Sequence, residues 1–323
     1  MASSGVLSFQ QVYRAADGLV GRLHFPGGRI SSAQWEQLAS LAEDTSDGSI
    51  YLTARGNIHL RGLRERPECV PGPVVVAAPG HARLAALSAE LAGAVRQELL
   101  IGLDAGNGAI LRLRPDISLV LIDDTRLQVV GKNLSTGPIV TDSEAVAMIV
   151  SVLSDSALVA GETWDFEPTK EHPAPIGWLE NADDPEVVSL GAGVPLGRMD
   201  ARLAQFLAAI EVDIFVTPWH SLYIPDLPAG VAEQVVKILA PMGLIFDAQS
   251  PWLQVSACIG QPGCAHALAD VRGDLISAVS SGQLEVDKPV FFSGCAKRCG
   301  HPRRAHVEYQ ASGAGDYEVF ERF

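Results

Sequence analysis

Four cysteines near the end of the 323-residue chain have the types and spacing of a metal site. Cys258 and Cys264 are separated by five residues, and Cys295 and Cys299 by three. Four thiolates are the usual requirement of a cubane 4Fe-4S cluster, and glycines in these loops allow tight turns whose amides can point at sulfur. A structural zinc site is the alternative, but its paired cysteines are usually spaced by two to four residues. The wider first pair therefore favours a 4Fe-4S cluster on these four cysteines.

The overall charge narrows the choice of partners. Aspartate and glutamate outnumber lysine and arginine 38 to 24, which gives a net charge of −14. Nucleic acid is thereby excluded as a partner, because phosphate binding needs a basic surface. An anionic small molecule would need a local basic cleft.

The hydropathy pattern is that of a protein without a membrane partner. No uninterrupted apolar run reaches the roughly 20 residues of a membrane-spanning helix, and the first residues do not begin a signal peptide. We therefore expect a cytoplasmic protein with reduced cysteines, in which the fifth cysteine, Cys69, is a lone thiol.

The elements that must position the cysteines include a repeated unit. In residues 28–63 and again in residues 197–227, apolar residues at helical spacing precede a short strand, a tight turn and an alternating second strand. The first strand of each unit ends in a threonine, Thr53 or Thr217. The same order occurring twice predicts internal duplication rather than two unrelated α/β units.

Each repeat is followed by a further α/β block. One block covers roughly residues 73–155 and the other roughly residues 245–323, and only the second contains the cysteine pairs. The predicted elements are helices over residues 82–97 and 265–280 and strands over residues 118–122 and 290–292. The order of the chain is therefore repeat, block, repeat, block.

The motifs resemble those of a known superfamily over nearly the whole chain. The cysteine spacing resembles that of siroheme-dependent sulfite and nitrite reductases, and residues 52–60, Leu-Thr-Ala-Arg-Gly-Asn-Ile-His-Leu, are similar to the Thr-x-Arg strand of their ferredoxin-like half-domains. Longer runs resemble the precorrin-3B synthase family of the same superfamily. These runs are residues 194–198, 217–219, 257–265 and 293–302.

The resemblance implies an α+β fold with the pseudo-twofold duplicated nitrite/sulfite reductase architecture. Two ferredoxin-like half-domains would each be followed by an α/β domain, and the second α/β domain would hold the 4Fe-4S cluster. Within this architecture, the Pro- and acid-rich stretch 162–186 is expected to connect the halves. The predicted boundaries are 8–72 for the first half-domain, 73–160 for the α/β domain without cluster cysteines, 161–240 for the linker and second half-domain, and 241–323 for the cluster domain.

The anion-binding residues of the reductases are mostly missing. The resemblance implies two arginines and two lysines around siroheme, and Arg55 matches the first arginine. Residues 73–79, where the second arginine is expected, contain no basic residue, and Asp116 and Ser118 stand where the lysines are expected. An acid in place of a lysine repels a small anion. Siroheme-dependent sulfite or nitrite reduction is therefore the alternative function and not the preferred one.

The resemblance to precorrin-3B synthases implies a different reaction. Precorrin-3A, a tetrapyrrole with many carboxylates, would be hydroxylated at C20 with oxygen from O2, and its ring A acetate would close a γ-lactone, in aerobic cobalamin biosynthesis. The 4Fe-4S cluster would relay electrons from an external electron donor, and a non-haem iron would activate O2 where the relatives hold siroheme. A third hypothesis is an electron-carrying or assembly partner without a substrate of its own.

The candidate substrate-binding residues are arginines and one tryptophan. Separated arginine forks suit carboxylates around a large ring, and we predict Arg55, Arg114, Arg198 and Trp219 for this role. The alternatives are a buried arginine pairing across the repeat for Arg55 and an ordinary core tryptophan for Trp219. The other arginines considered as forks are Arg22, Arg29 and Arg112.

Catalytic residues and the ligands of the non-haem iron stay unassigned by sequence. An iron facial triad uses two histidines and a carboxylate, and the eight histidines show no paired spacing. Beside the cysteines, Lys297 and Arg298 are expected to tune the cluster potential, with solvated surface charge as the alternative. The histidines left as open candidates are His59, His220, His266 and His301.

Overall fold

The computed structural model describes residues 7–131, 136–154, 174–182, 184–284, 286–302 and 304–323. Within these residues the strands form three five-stranded sheets and one four-stranded sheet. No helix in the described ranges is both long enough and apolar enough to cross a membrane.

The first repeat forms an antiparallel sheet with one helix. Ser31 caps the helix, because its hydroxyl accepts the backbone N–H of Gln34 while the Gln34 side chain accepts the N–H of Ser31. Trp35, Leu38 and Ala42 lie on the buried face of this helix, as the helical spacing predicts. The elements are β1 (Phe9–Ala15), β2 (Gly18–Leu23), β3 (Arg29–Ile30), α1 (Ser32–Thr45), β4 (Ser49–Leu52) and β5 (Ile58–Leu63).

The first α/β block forms a mixed sheet with two helices. Its first four strands are buried along most of their length, as expected for a sheet with its own hydrophobic core, and its last strand is largely exposed. The observed helix and strand agree with the predicted ranges 82–97 and 118–122 to within a few residues. The elements are β6 (Val74–Ala77), α2 (Ala82–Ala94), β7 (Leu100–Asp104), β8 (Ile117–Leu121), β9 (Leu127–Gly131), β10 (Thr136–Val140) and α3 (Asp142–Ser154).

The second repeat has the same order of elements as the first. Asp200 caps its first helix by accepting the backbone N–H of Leu203 at 2.8 Å. The elements are β11 (Gly177–Glu180), β12 (Val187–Gly193), β13 (Arg198–Asp200), α4 (Ala201–Ala208), β14 (Ile214–Val216), β15 (Ser221–Pro228) and α5 (Ala229–Leu239). The edge strand β11 corresponds to β1 of the first repeat, and the helix α5 follows the repeated unit.

The cluster block is a four-stranded sheet with one helix. The predicted helix 265–280 begins only at Val271, because Asp270 is its N-cap and accepts the backbone N–H of Gly273 at 3.1 Å. The preceding residues form turns instead. The elements are β16 (Val255–Ala257), α6 (Val271–Ser280), β17 (Val290–Ser293), β18 (His306–Ala311) and β19 (Tyr317–Arg322).

The two repeats exchange short strands. The first sheet has the order β1-β2-β5-β4-β13, and the sheet of the second repeat has the order β11-β12-β15-β14-β3. Each repeat therefore supplies one edge strand to the sheet of the other. Helices α1 and α4 also pack together, and buried side chains of both repeats form one hydrophobic core. The duplication thus builds a single unit with approximate twofold symmetry.

Equivalent glycines fit the turns that lead into the exchanged strands. Gly28 and Gly197 both have positive φ, 76° and 63°. A Cβ at Gly28 would lie 2.1 Å from the carbonyl oxygen of Val216, and a Cβ at Gly197 would lie 3.0 Å from that of Leu52. Each turn therefore packs against a strand of the other repeat at a distance that only glycine permits.

Part of the predicted connection is regular structure. The stretch 162–186 was expected to be an irregular link, but β11 lies within it and pairs antiparallel with β12. Pairing with an existing sheet edge supplies the hydrogen bonds that the local sequence pattern does not reveal. Residues 162–173 lie outside the described residues.

Candidate functional site

Cys258, Cys264 and Cys295 lie near one another at one edge of the sheet in the second α/β block. Cys258 follows β16 and Cys295 follows β17, and these neighbouring strands are parallel, so their carboxyl ends lie at the same edge. The N–H of Gly294 donates to Sγ of Cys258 at 3.1 Å. Leu268, shortly after Cys264, donates its N–H to the carbonyl oxygen of Gly294 at 2.8 Å. The sheet therefore brings together loops that are about 30 residues apart along the chain.

The thiols influence one another electrostatically. Burial raises the pKa of the Cys258 thiol, hydrogen bonds from the backbones of Gly294 and Gly260 lower it, and the neighbouring thiols of Cys264 and Cys295 raise it again. Like charges repel, so several thiolates here need a positively charged group between them. Cys258, Cys264 and Cys295 are partly buried and Cys299 is exposed.

The thiols supply the soft donors that an iron–sulfur cluster uses. No group of three or more His, Cys, Asp or Glu side chains in the described ranges is placed to hold a single metal ion. A tetrahedral zinc ion with bonds of about 2.3 Å would draw four sulfurs to within about 4 Å of each other. A four-iron cubane is larger and holds its thiolates farther apart. Soft thiol donors with amides directed at Cys258 Sγ are the chemistry that such a cluster uses.

A buried carboxylate anchors the loop between Cys295 and Cys299. Glu308 of β18 accepts hydrogen bonds from Arg298 at 2.6 Å, Arg322 at 2.7 Å and Ser293 at 2.9 Å. Burial opposes its ionisation, but the bonds from Arg322 and Ser293 and the charge of Arg298 lower the pKa of Glu308. Arg298 is thus engaged in holding the cysteine loop on the sheet.

A row of polar and aromatic residues crosses the first sheet beside these loops. Arg22 lies opposite His59, His59 opposite Tyr51, and Tyr51 opposite Arg198, on the strands β2, β5, β4 and β13. Residues directly opposite share one face of a sheet. Since neighbouring strands are about 4.8 Å apart, the two arginines are separated by about 14 Å along the row. We call these four residues the sheet row.

Three guanidinium groups surround Tyr51. The guanidinium carbons of Arg61, Arg198 and Arg272 lie 5.9, 5.7 and 5.6 Å from the centre of its ring. The Tyr51 hydroxyl donates to Asp47 at 2.7 Å. Burial and this hydrogen bond raise the pKa of Tyr51, so its hydroxyl stays protonated at neutral pH. The ring therefore forms an uncharged surface enclosed by positive charge.

Arg61 connects the sheet row to the cysteine loop. Its side chain forms a two-pronged ion pair with Asp17 at 2.8 Å and donates to the carbonyl oxygen of Gly263 at 3.2 Å. Gly263 immediately precedes Cys264. A Cβ at Gly263 would lie 3.0 Å from the Asp17 carboxylate and 3.1 Å from the Arg61 guanidinium. The close approach of the first repeat to the cysteine loop thus depends on a glycine.

The other arginines of this region lack carboxylate partners. Within the described residues no salt bridge involves Arg22, Arg198 or Arg272, and Nε of both Arg22 and Arg272 is buried without a hydrogen bond. Arg198 donates to the Ser49 hydroxyl. Burial is the main cause that lowers the pKa of Arg22 and of Arg272. The carboxylate of Glu98 attracts Arg22 without forming a salt bridge to it. Guanidinium groups without a salt bridge among the described residues, one at each end of the sheet row, suit a ligand with several carboxylates.

The partly buried histidines are separate from one another and neutral. Burial lowers the pKa of His59 to about 4, with help from the charges of Arg22 and Arg61. Burial likewise lowers the pKa of His220 to about 4. His24 accepts the N–H of Val75 at Nε2, so its Nδ1 carries the proton. Together with the absence of a single-ion site in the described ranges, this leaves the non-haem iron without a ligand set there.

The two remaining histidine candidates lie in the cluster domain. His266 is exposed in the turns before α6. His301 is exposed as well, and its Nδ1 lies 2.9 Å from the carbonyl oxygen of Arg298. Neither belongs to a group that could hold a single ion within the described residues.

The predicted substrate-binding residues occupy different places. Arg55 is exposed in the turn between β4 and β5, and its charge contributes to the lowered pKa of Arg22, so it lies at one end of the sheet row. Arg198 lies at the other end. Trp219 is half-buried against the core of the first α/β block. Arg114 is exposed in that same block, at the end of a 3-10 turn.

Asp116 and Ser118, which stand where the lysines are expected, make contacts within the first α/β block. The Asp116 carboxylate accepts the N–H of Leu100 at 2.9 Å, which ties the loop before β8 to β7. Ser118 is buried within β8. Arg29, one of the wider set of candidate forks, is paired with Asp213.

Sequence reasoning missed Tyr51, Arg61 and Arg272. Arg61 and His59 lie two residues apart on one strand and so share a face, and this polar pair in an otherwise apolar strand was an available signal. Nothing in the sequence near Arg272 indicates that it contacts Tyr51, because the two are 221 residues apart.

Comparison with known proteins identifies the fold. Residues 12–66, which contain most of the sheet row, match the family described as Nitrite/Sulfite reductase ferredoxin-like half domain. In structure, the chain is similar to the NirA protein of Mycobacterium tuberculosis, with a TM-score of 0.67 over 94% of this chain and 73% of that chain, at 16% sequence identity. The chain has the nitrite/sulfite reductase fold. The α+β fold with duplicated ferredoxin-like half-domains, predicted from the motifs, is confirmed.

Relatives of this chain that share the nitrite/sulfite reductase resemblance are named as enzymes. This chain is 26% identical to a precorrin-3B synthase of Sinorhizobium sp, over 95% of this chain and 80% of that protein. It is 25% identical to the sulfite reductase [NADPH] hemoprotein beta-component of Methylobacterium sp. (strain 4-46), over 45% of this chain and 26% of that protein. The predicted resemblance is confirmed, and the relatives support an oxidoreductase-like enzyme.

Proposed function

We propose that the protein is a precorrin-3B synthase. It binds precorrin-3A and transfers one oxygen atom of O2 to C20 with closure of the γ-lactone. The other oxygen atom is reduced to water with two electrons from an external donor and two protons. The observation that carries the proposal is the sheet row with an arginine at each end and two rings between them. The similarity to a precorrin-3B synthase along 95% of the chain supports the choice of tetrapyrrole.

The sheet row suits a flat ligand with peripheral carboxylates. His59 and Tyr51 present uncharged rings, because the pKa of His59 is lowered to about 4 and that of Tyr51 is raised. Arg22, assisted by Arg55, and Arg198 bind carboxylates at opposite edges of the macrocycle. The spacing of about 14 Å between the two ends favours a large ring over a small inorganic anion. Arg114 and Trp219 are also proposed to bind substrate. Arg114 lies in the first α/β block, and Trp219 packs against it.

The cysteines hold a 4Fe-4S cluster in this proposal. Cys258, Cys264, Cys295 and Cys299 are its ligands, and a bound cluster supplies one-electron transfer between the external donor and the substrate site. The Gly294 amide hydrogen-bonds to Cys258 Sγ, and Arg61 fixes the loop before Cys264 against the sheet row. These contacts support a position of the cluster next to the bound tetrapyrrole. The non-haem iron implied by the resemblance receives no ligands here.

The decisive experiment measures the iron–sulfur content of the protein and traces the oxygen atom that enters the product. Protein purified without oxygen is analysed for iron and acid-labile sulfide and then given precorrin-3A, a reductant and labelled O2. The expected product is heavier than precorrin-3A by one oxygen that carries the label. A cluster-containing protein that binds precorrin-3A but leaves it unchanged under these conditions would contradict the proposed reaction.

Siroheme-dependent sulfite or nitrite reduction is the second candidate. Its support is the half-domain match and a sulfite reductase relative over 45% of the chain. Against it stand Asp116 and Ser118, which are engaged in the first α/β block where lysines are expected to grip the anion. A visible spectrum separates the candidates, because siroheme gives strong Soret and red bands and a lone cluster gives a broad brown shoulder. Siroheme-dependent turnover of sulfite or nitrite would establish the second candidate.

A further inference from the structure

Arg272 lies between the cysteine loop and the sheet row. We infer that the positive charge of Arg272 raises the reduction potential of the iron–sulfur cluster. The inference rests on the proposed function for the presence of the cluster and adds a role for a residue outside the ligand set. Arg272 would act through its charge, without contact with the substrate or the metal.

Backbone contacts fix the start of α6 against the cysteine loop. The N–H of Gln261 donates to the carbonyl oxygen of Ala269 at 3.0 Å. A Cβ at Gly260 would lie 3.1 Å from the backbone nitrogen of Val271. The residue after Val271 is Arg272, so its backbone is held close to the loop that begins at Cys258.

The Arg272 side chain is held by two further contacts. One Nη donates to the carbonyl oxygen of Leu196 at 2.9 Å, and the guanidinium carbon lies 5.6 Å from the centre of the Tyr51 ring. Leu196 and Cys258 pack against the same small hydrophobic core. These contacts hold the guanidinium group near both Tyr51 and the hydrophobic core against which Cys258 packs.

The charge of Arg272 has no carboxylate partner among the described residues. Arg61, which contacts the same ring, is neutralised by Asp17, whereas Arg272 has only a carbonyl acceptor and a buried Nε without a hydrogen bond. A buried charge without an opposite charge is costly. Burial lowers the pKa of Arg272, and a thiolate at Cys258 raises it. An anionic cluster on the neighbouring cysteines supplies the missing negative charge.

The effect on the cluster follows from Coulomb attraction. Reduction adds one electron, so the reduced cluster is more negative than the oxidised cluster and is stabilised more by a nearby cation. Arginine remains protonated at all working pH values, so the effect is permanent. Removing this charge therefore makes the cluster harder to reduce.

Redox titration of the whole protein, followed by electron paramagnetic resonance, tests the inference. At the wild-type midpoint potential, Arg272→Gln should lower the ratio of reduced to oxidised cluster at least about tenfold, which is 59 mV for a one-electron couple. Arg272→Lys keeps the charge and should change the ratio much less. Iron and sulfide content is measured for each variant, so that loss of the cluster is separated from a shift in potential.

Arg304→Gln is the matched control. Arg304 is an exposed arginine of the same domain, and its side chain donates to the Gln254 side chain. Gln254 precedes β16 and Cys258 follows it, so these two residues are about 13 Å apart. Its removal changes the net charge equally and should leave the ratio within about twofold of wild type.

The outcomes separate the inference from the proposed function. An intact cluster in Arg272→Gln with an unchanged ratio, or equal shifts in Arg272→Gln and Arg304→Gln, would overturn the role of Arg272 and leave the cluster in place. If Arg272→Gln loses its cluster, Arg272→Lys decides: a wild-type ratio supports the charge effect, and a tenfold drop overturns it. Wild-type protein without iron and sulfide would overturn the cluster itself and the inference with it.

Discussion

Arg55 and Trp219 occupy the same position in the two repeats. Each is the second residue after a threonine that directly follows a strand, Thr53 after β4 or Thr217 after β14. Each donates its backbone N–H to that threonine hydroxyl, at 3.4 and 3.2 Å. The duplicated turn therefore presents a guanidinium group in one copy and an indole in the other. In the first copy the turn lies at the end of the sheet row, and in the second it packs against the first α/β block.

Arg55 should contribute to tetrapyrrole binding. Arg55→Ala is expected to weaken binding of precorrin-3A by about 1.5 to 3 kcal/mol if the guanidinium donates a charged hydrogen bond to a substrate carboxylate. The cluster spectrum should be unchanged. Binding is measured anaerobically by fluorescence or calorimetry. The matched control is Arg64→Ala, which removes an exposed arginine of the same half-domain whose side chain donates to the Asp44 carbonyl oxygen. Equal losses in both variants would remove Arg55 from the site.

The four clustered cysteines should be required for iron–sulfur content. Cys258→Ser, Cys264→Ser or Cys295→Ser is each expected to abolish the cluster, because a cubane that lacks one thiolate exchanges its iron readily. Iron and acid-labile sulfide are measured after anaerobic purification. Cys69→Ser, at the exposed cysteine outside the group, should retain wild-type content. Full iron and sulfide in any of the three cluster variants would exclude that cysteine as a ligand.

The ion pair between Arg61 and Asp17 should stabilise the cysteine loop. The pair is largely buried, with side-chain exposures of 8% and 21%. Arg61→Met removes the bond to Gly263 and leaves Asp17 unpaired, so we expect a loss of about 1 to 3 kcal/mol in the free energy of unfolding. Urea denaturation measures this loss, and the rate of iron release to a chelator should increase in parallel. A variant that unfolds more easily but releases iron at the wild-type rate would show that the bond to the loop is unimportant for the cluster.

Partly buried histidines should make the protein less stable in acid. The pKa values of His24, His59 and His220 are each lowered to about 4 from 6.5, mainly by burial. Between these two values the unfolded chain binds more protons than the folded chain. Their contribution is therefore complete above pH 6.5 and is lost as the pH falls to about 4, by an amount on the order of 3 kcal/mol for each histidine.

Replacement of one such histidine tests the pH effect. His24→Gln should reduce the difference in urea midpoint between pH 7 and pH 5, although it also lowers stability at pH 7 by removing the bonds to Asn57 and Val75. His81→Gln, at an exposed histidine, should leave the difference as in wild type. An unchanged pH dependence in His24→Gln would show that this side chain is already neutral in the unfolded chain or charged in the folded one.

The sequence by itself determined the local elements, the duplication and the two cysteine pairs. Helical and alternating spacing identified α1, α2, β5 and β8, because the side chains that must be buried recur with the period of the element. The cysteine spacing and the runs around it indicated the nitrite/sulfite reductase resemblance, because these motifs are short and contiguous in the chain. None of these features depends on contacts between distant residues.

The tertiary structure decided which residues meet. The exchange of β3 and β13 between the repeats brings Arg198 beside Tyr51, and the docking of the cluster domain brings Arg272 to the same ring. Strand register and domain docking depend on the packing of surfaces that are far apart in sequence, and period-2 or helical patterns do not specify them. For that reason the sheet row, the link from Arg61 to Gly263 and the late start of α6 emerged only from the fold.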